Sequence, residues 1–220
     1  MMRDIVIFGS GGFAREVLQI INAVNAESTV WRCIGFCVDP EFARSTSLHG
    51  LPIHSGIESL RAVQNLHVAV AVGAPEARSR IVANLRRLGR TDFPALIHPR
   101  AWIGSNVQLG SGVIVCAGVS LTTDIEIGEH VHINLNATVG HDSRVGAFST
   151  LSPGVHISGN VRTGEQVEIG TGASVIPGVS IGPNAVIGAG AAVIRDLPAG
   201  SVAVGVPAKV IRVRSEDGAA

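Results

Sequence analysis

The chain has 220 residues with 17 basic and 17 acidic side chains, and this zero net charge without a basic run argues against a nucleic-acid partner. Tyrosine is absent, aromatic residues make up 4%, and 27 glycines are present, which indicates a repetitive, glycine-turned architecture. No apolar stretch is long enough to span a bilayer, so no membrane association is expected. The three cysteines lack metal-ligand spacing, and they predict a reduced cytoplasmic protein without a bound metal.

The first part of the chain, residues 1–97, alternates short apolar runs with amphipathic segments. Its first strand ends in the loop Gly9-Ser-Gly-Gly12, and the segment after that loop has the apolar spacing of a helix. In chain order, the predicted elements are a strand at 5–8, a helix at 13–24, a strand at 34–38, a helix at 56–66, a strand at 67–72 and a helix at 76–88. This alternation predicts a small parallel sheet with flanking helices, an α/β domain.

The second part, residues 98–200, changes to a period of six residues. Sixteen consecutive hexads run from Trp102 to Leu197 without an insertion, and their second position is Ile, Leu or Val except at Thr163. Neither an amphipathic helix nor plain strand alternation explains this period with its recurrent glycines. Three hexads that each bury one aliphatic residue make a triangular coil. The repeat therefore predicts about five coils of a parallel β-helix, followed by a C-terminal tail at 201–220.

One stretch of the repeat, residues 134–143, carries more polar side chains at its turns than the rest. His141 and Asp142 occupy turn positions, so we expect both to face outwards rather than into the stack. A carboxylate next to an imidazole fixes its tautomer and raises its basicity, which suits a general base. The residues alone leave a second interpretation open, in which His141 is a solvated turn residue without a catalytic role.

Several short motifs follow one another over nearly the whole chain, from about residue 4 to residue 212. They are Phe8-Gly-Ser-Gly-Gly12 with Arg15-Glu-Val17, Ile34-Gly-Phe36 with Asp39, Val70-Ala-Val-Gly73 with Arg78, Leu96-Ile-His-Pro99, Val139-Gly-His-Asp142, Ser158-Gly-Asn160 and Gly205-Val-Pro-Ala-Lys209. In this ordered set the chain resembles the sugar O-/N-acetyltransferases of the sialic acid and bacillosamine type. The resemblance implies a Rossmann-like N-terminal domain followed by a left-handed β-helix, because hexapeptide-repeat proteins are the known exception to right-handed crossovers.

The resemblance also implies direct transfer of an acetyl group from acetyl-CoA, the co-substrate, to an amine or hydroxyl of a sugar. His141 matches the family's catalytic base, Asp142 matches the acidic residue that orients it, and Asn134 matches a polar residue near the acceptor. Backbone N–H groups of the adjoining coil are expected to stabilise the oxyanion. Because flat prism faces pack around a threefold axis and the family is typically trimeric, we expect a homotrimer.

The remaining site residues are assigned by their positions in the matching motifs. Those expected to bind the acceptor, a nucleotide-linked sugar, are Gly11, Gly12, Phe13, Val38, Asp39 and Gly73; those expected to bind acetyl-CoA are Thr150, Thr171, Ala189 and Lys209. Relatives carry His where this chain has Phe13 and Thr150, and some carry Asp where it has Val38. Since Phe13 and Val38 cannot make the polar interactions of those side chains, the acceptor, or at least its nucleotide, is predicted to differ from that of the bacillosamine pathway.

Within the family, the amino group of a nucleotide-linked 4-amino sugar is the favoured acceptor, and O-acetylation of a sugar, including sialic-acid-type acceptors, is the alternative. The glycine loop also resembles a dinucleotide fingerprint. An NAD-dependent enzyme, however, needs a fuller Rossmann unit and a substrate domain, which a hexapeptide prism does not supply.

Two further functions remain open for a prism of this kind. The repeat contains four histidines, namely His130, His132, His141 and His156. They allow a γ-type carbonic anhydrase, which binds zinc through three histidines of the same prism, although their spacing does not resemble that family's. The second function is that of a trimeric scaffold without catalytic activity, and the adjacent His141 and Asp142 argue against it.

Overall fold

The computed structural model describes residues 2–214, which form two compact units that divide after Pro99. The elements of the first unit are β1 (Arg3–Phe8), α1 (Gly12–Glu27), β2 (Trp31–Val38), β3 (Ser47–Leu48), β4 (Leu51–Ser55), β5 (His67–Val70), α2 (Pro75–Arg87) and β6 (Leu96–Ile97), with 3₁₀ turns at Pro40–Phe42 and Ile57–Leu60. Its sheet has the order β3-β4-β2-β1-β5, parallel except for the antiparallel β3–β4 pair. The predicted α/β fold is confirmed.

Helix α1 begins directly after the glycine-rich loop that follows β1. Its buried residues are Ala14, Val17, Leu18, Ile20 and Ile21. Their spacing of three and four residues places them on one face of the helix, which contacts β1 and β2. Strand β1, on which the helix packs, is itself apolar, and its residues Ile5, Val6 and Ile7 are fully buried. The loop before α1 therefore lies at the carboxyl edge of the sheet.

Two segments of the first unit differ from the sequence prediction. Strand β4 was not anticipated, because Pro52 and the polar residues beside it obscure its apolar pattern, yet it pairs in parallel with β2. The helix predicted at 56–66 is wrong in its length, since only one 3₁₀ turn forms there. Ile57 and Leu60 bury that turn, and Asn65 further on adopts a left-handed φ of 51°, which is incompatible with a continuing helix.

The second unit is a left-handed parallel β-helix with one short strand in each hexad. Its strands are β7 (Trp102–Ile103), β8 (Val107–Leu109), β9 (Ile114–Val115), β10 (Ser120–Leu121), β11 (Ile125–Ile127), β12 (His132–Ile133), β13 (Thr138–Val139), β14 (Arg144–Val145), β15 (Thr150–Leu151), β16 (His156–Ile157), β17 (Arg162–Thr163), β18 (Glu168–Ile169), β19 (Ser174–Val175), β20 (Ser180–Ile181), β21 (Val186–Ile187) and β22 (Ala192–Val193). Each strand pairs in parallel with the third strand after it, as β10 does with β13. The predicted prism is confirmed.

Three ladders of stacked strands form the three faces of this prism. Face 1 contains β7, β10, β13, β16, β19 and β22; face 2 contains β8, β11, β14, β17 and β20; face 3 contains β9, β12, β15, β18 and β21. The aliphatic second residue of each hexad points inwards, as for Leu121, Val139 and Ile157, which are at most 2% exposed. Neighbouring coils hydrogen-bond to each other through their backbones, so the stack satisfies its own polar groups.

The turns of the β-helix share one backbone feature. The fifth residue of every hexad from Asn106 to Gly190 has a positive φ. Glycine and asparagine adopt this left-handed region more readily than other residues, which explains their frequency at this position. The bulkiest residue there is Phe148, whose ring stacks on that of His130 one coil earlier, with 5.3 Å between centroids and 7° between planes. This contact helps to hold a large side chain at a strained turn.

Thr163, the exception at the second position of the repeat, has a hydrogen-bonding role. Its side chain is buried, and its hydroxyl accepts the N–H of Gly146 at 3.0 Å. In the coils before and after, the equivalent N–H groups of Gly128 and Gly164 donate to main-chain carbonyls. The Thr163 hydroxyl therefore takes the place of a backbone acceptor in the ladder of face 2.

We expect Thr163→Val to destabilise the protein by about 1–2 kcal/mol, although valine fits the repeat better, because the variant removes the acceptor of the partly buried Gly146 N–H. The free energy of unfolding in urea, compared between the two proteins, measures this difference. If the valine variant were as stable as the wild type, or more stable, the hydroxyl would have no structural role.

The segment 201–220, predicted as a tail, contains two strands in the part that the structure describes. Strand β23 (Ser201–Val204) pairs in parallel with β21, and β24 (Lys209–Val213) pairs antiparallel with β23. The ladder of face 3 thus continues beyond the last hexad. Between residues 2 and 214, no helix combines the length and the apolar character needed to cross a membrane.

Candidate active site

His141 and Asp142 form a hydrogen-bonded pair at a turn that follows β13. The His141 Nδ1 lies 2.7 Å from the Asp142 Oδ2, and both side chains are more than half exposed. Asp142 is the fifth residue of its hexad and has a left-handed φ of 60°, as the other fifth residues from Asn106 to Gly190 do. Because Nδ1–H donates to the carboxylate, the lone pair of Nε2 is left to accept a proton. The pair has the arrangement of an oriented general base.

The backbone of this turn is tied to the coils on both sides. The Asp142 N–H donates to the Thr123 carbonyl at 3.2 Å, and the Asn160 N–H donates to the His141 carbonyl at 2.8 Å. The buried Ser143 hydroxyl, next in sequence after the pair, donates to the Ser158 carbonyl at 3.1 Å. It also accepts an N–H from the coil that contains Ser158. These bonds hold the His141 Cα in a fixed position, so the imidazole is presented from a rigid support.

Asn134 and Thr150 lie on face 3, away from the turn that holds His141. The Asn134 side chain is buried, and its Nδ2 donates to the Leu151 carbonyl at 2.8 Å. Thr150 is on the next strand of the same face and is 8% exposed. The structure therefore places the predicted acceptor residue Asn134 and the predicted acetyl-CoA residue Thr150 in successive coils of one face, with both side chains largely covered.

The other residues predicted to bind acetyl-CoA are exposed. Thr171 and Ala189 occupy the same position in successive coils, and the N–H of Gly190 donates to the Thr171 carbonyl at 2.8 Å. Both lie on the edge between face 3 and face 1, whereas His141 lies on the edge between face 1 and face 2. Lys209 is exposed in β24. A single chain thus gathers Thr171 and Ala189 on one edge of the prism and His141 on another.

The residues predicted to bind the acceptor in the first unit come together at one edge of its sheet. Gly11, Gly12 and Phe13 follow β1, Val38 ends β2 and is followed by Asp39, and Gly73 follows β5. These three strands are neighbours and parallel, so their carboxyl ends meet where open α/β sheets bind ligands. The glycines are exposed.

Val38 has a different character from the other residues at this edge. Its side chain is 5% exposed, and its carbonyl accepts the Gly56 N–H at 2.8 Å. The valine thus belongs to the core of the first unit, whereas an aspartate at this position would place a charge there.

Arg78 contributes to this edge in a way that the sequence did not predict. Its side chain is fully buried in α2, and its Nη1 donates to the carbonyls of Val72 at 2.7 Å and Gly73 at 2.8 Å. The guanidinium thereby fixes the loop after β5, where Gly73 lies. An arginine placed early in the helix after a strand is a signal for such a contact, because its side chain reaches back to the preceding loop.

The histidines and cysteines of the described residues do not assemble a metal site. No group of three or more His, Cys, Asp or Glu side chains there is arranged to hold an ion. His130 stacks on Phe148, and the His156 Nδ1 bonds the Thr138 hydroxyl at 3.0 Å. Burial raises the pKa of the Cys37 thiol to about 12, so it stays protonated at neutral pH.

Three protein-family models match the chain. They are the PglD N-terminal domain at residues 4–85, the bacterial transferase hexapeptide (six repeats) at 160–195, and the hexapeptide repeat of succinyl-transferase at 100–123. The first match covers the α/β unit, and the other two lie in the β-helix. Together they fit the two-part layout seen in the structure.

Two curated relatives are N-acetyltransferases. The GDP-perosamine N-acetyltransferase of Escherichia coli O157:H7 is 30% identical over 150 residues, which cover 67% of this chain and 66% of the relative. The UDP-N-acetylbacillosamine N-acetyltransferase of Bacillus subtilis (strain 168) is 34% identical over 121 residues, or 53% and 52% of the two chains. The chain thus spans just under two thirds of the first relative's length and about half of the second's.

Solved structures match over nearly the full length. PerB from Caulobacter crescentus, in complex with CoA and GDP-perosamine, has a TM-score of 0.86 at 35% identity, covering 96% of this chain and 98% of that one. The acetyltransferase domain of PglB from Neisseria gonorrhoeae FA1090, in complex with acetyl coenzyme A, has a TM-score of 0.86 at 32% identity, covering 96% and 100%. Fold and site define a hexapeptide-repeat acyltransferase. Within that class, the chain belongs to the sugar acetyltransferases of the sialic acid and bacillosamine type.

Proposed function

We propose that the protein transfers the acetyl group of acetyl-CoA to the amino group of a nucleotide-linked 4-amino sugar. The observation that carries this proposal is the His141–Asp142 pair, with 2.7 Å between Nδ1 and Oδ2 on an outer turn of the prism. The relatives support the choice of substrate, since their names specify N-acetylation of GDP- or UDP-linked amino sugars. Acetyl-CoA as donor is supported by the CoA and acetyl coenzyme A bound in the similar structures.

In the proposed mechanism His141 acts as a general base through Nε2. The sugar amine attacks the thioester carbonyl, a C–N bond forms, and Nε2 takes the proton that the nitrogen loses. The tetrahedral intermediate then collapses, the C–S bond breaks, and CoA leaves as a thiolate that takes up a proton. Asp142 holds the imidazole in the required tautomer and stabilises its charged form. Backbone N–H groups of the adjoining coil are suited to bind the oxyanion, and no covalent enzyme intermediate is needed.

The first unit is proposed to hold the acceptor at the carboxyl edge of its sheet. Gly11 and Gly12 precede or begin α1, and an exposed helix N-terminus favours an anionic diphosphate. Gly73 and Asp39 lie on the two neighbouring strand ends. Phe13 and the buried Val38 offer no polar side chain there. We therefore propose that the nucleotide is recognised differently from that of the bacillosamine pathway.

The acetyl-CoA site is proposed to lie between two chains of a homotrimer. Thr171 and Ala189 are on a different edge of the prism from His141, so a neighbouring copy that contributes its edge would bring the donor to the base. Thr150 and Lys209 complete the proposed donor contacts. The three cysteines form no disulfide, and a cytoplasmic location remains part of the proposal.

A thiol-release assay with acetyl-CoA tests the proposed function. The panel consists of GDP-, UDP- and dTDP-linked 4-amino sugars, each paired with the corresponding 4-hydroxy sugar, together with free sialic acid. We expect CoA release with at least one amino sugar and none with its hydroxyl partner. Release with sialic acid or a hydroxy sugar alone would establish O-acetylation instead, and release with no acceptor in the panel would remove the support for a sugar acetyltransferase.

A further inference from the structure

The fourth position of the hexads identifies an unusual glycine. Among the sixteen hexads from Trp102 to Leu197, Gly159 is the only glycine at this position, which elsewhere carries side chains as different as Leu135, Pro153 and Arg195. The φ of Gly159 is outside the left-handed region, unlike that of the fifth-position glycines. The backbone of the repeat therefore does not require glycine at residue 159, and the reason for it has to be a neighbouring group.

That neighbour is the imidazole of His141. The two residues occupy the same position in successive coils, and Gly159 is buried. A β-carbon built on Gly159 would lie 2.6 Å from both Cε1 and Nε2 of His141 and 3.0 Å from Cδ2. Distances below 3.0 Å are essentially never seen for real β-carbons. The His141 ring thus occupies the space that any side chain at residue 159 would need.

The orientation of the His141 ring determines what each of its two nitrogens can contact. With the ring lying across Gly159, Nδ1 faces Asp142 at 2.7 Å, and Nε2 is the nitrogen nearest to the glycine. A methyl group at residue 159 would push the ring away, break the alignment of Nδ1 with the carboxylate, and stand beside the nitrogen that must reach the acceptor. Misplacement of a catalytic group by about 1 Å can cost about a hundredfold in rate.

We propose that Gly159 is a positioning residue for His141, whose missing side chain seats the imidazole against the next coil and keeps Nε2 accessible. The catalytic readout of this inference rests on the proposed acetyl transfer, but the packing itself does not. Both can be measured in a cycle of four proteins: the wild type, Gly159→Ala, His141→Ala and the double variant. His141→Ala removes the ring and so provides the matched background in which alanine at residue 159 meets no imidazole.

We expect the change in Tm caused by Gly159→Ala to be less favourable in the wild-type background, where the His141 ring has to move, than in the His141→Ala background. In the absence of a clash, an alanine at a compatible φ stabilises a protein by restricting its unfolded chain. In the wild-type background, kcat should fall about tenfold or more, while KM for acetyl-CoA stays close to the wild-type value. In the His141→Ala background the same substitution should have no further effect on the residual rate.

Equal Tm changes in the two backgrounds would show that the glycine serves the backbone alone, and would overturn the proposal. A Gly159→Ala enzyme with wild-type kcat would overturn it as well. If the wild type itself released no CoA with any amino sugar, the proposed function would fail, but the Tm cycle, which needs no substrate, would still decide whether Gly159 seats the His141 ring.

Discussion

His141→Ala is expected to lower kcat/KM for acetyl transfer by about a hundredfold or more while the protein remains folded, because general-base catalysis contributes about 10²- to 10⁴-fold. The side chain is 57% exposed and lies outside the aliphatic stack, so its removal leaves the core of the β-helix intact. Steady-state rates with an amino sugar that the enzyme accepts, together with thermal unfolding, measure the two effects.

His156→Ala is the matched control for this experiment. His156 is also exposed, lies on the next strand of face 1, and bonds the Thr138 hydroxyl through Nδ1 at 3.0 Å. Within residues 2–214 it has no carboxylate partner comparable with Asp142, so its removal should change the rate by no more than a few-fold. Near-normal turnover of His141→Ala, or an equal loss in both variants, would contradict the assignment of His141 as the base.

Gly146→Val is expected to prevent stable folding of the β-helix. A β-carbon on Gly146 would lie 2.2 Å from the carbonyl oxygen and 2.3 Å from the carbonyl carbon of Gly164 in the next coil. Those are backbone atoms held in the ladder of face 2, so they cannot move aside without breaking its hydrogen bonds. We expect a loss of more than about 3 kcal/mol in the free energy of unfolding, in the range of severe overpacking.

The control for this variant is Ile176→Val, because Ile176 occupies the same third position in its hexad. Ile176 is 43% exposed, so the next coil leaves room for its side chain. Valine is smaller and branched in the same way, and it is therefore sterically acceptable at this third position. Urea unfolding should therefore show little change for Ile176→Val. A stable, cooperatively folding Gly146→Val protein would contradict the close approach of the two coils at this point.

The β-helix could be predicted from the sequence because each hexad buries its aliphatic residue in the same way. The period of six repeats from Trp102 to Leu197, and even its exception Thr163 can be found by counting. The role of Thr163 could not, since its hydroxyl bonds Gly146 from a coil 17 residues away. The first unit was less predictable: β4 has a proline and little apolar alternation, and its place beside β2 depends on long-range pairing.

The candidate site likewise contains features that could be predicted from the sequence and features that could not. His141 and Asp142 are adjacent in sequence, so their hydrogen bond was foreseeable from their turn positions. Gly159 and Arg78 act on groups that the fold brings to them, an imidazole on the previous coil and two carbonyls of a loop. The one signal in the sequence that could have identified Gly159 is the absence of a side chain at the fourth position, unique among the sixteen hexads. The contacts proposed for acetyl-CoA and the acceptor remain predictions.

Product analysis by NMR tests the central claim most directly. The enzyme is incubated with acetyl-CoA labelled with ¹³C at the carbonyl and with the nucleotide-linked 4-amino sugar that gives the fastest CoA release. We predict a labelled amide carbonyl that correlates with the proton on C4 of the sugar, and no such product with His141→Ala. A labelled ester on a sugar hydroxyl, or labelled acetate without any acetylated sugar, would contradict the proposed N-acetyl transfer.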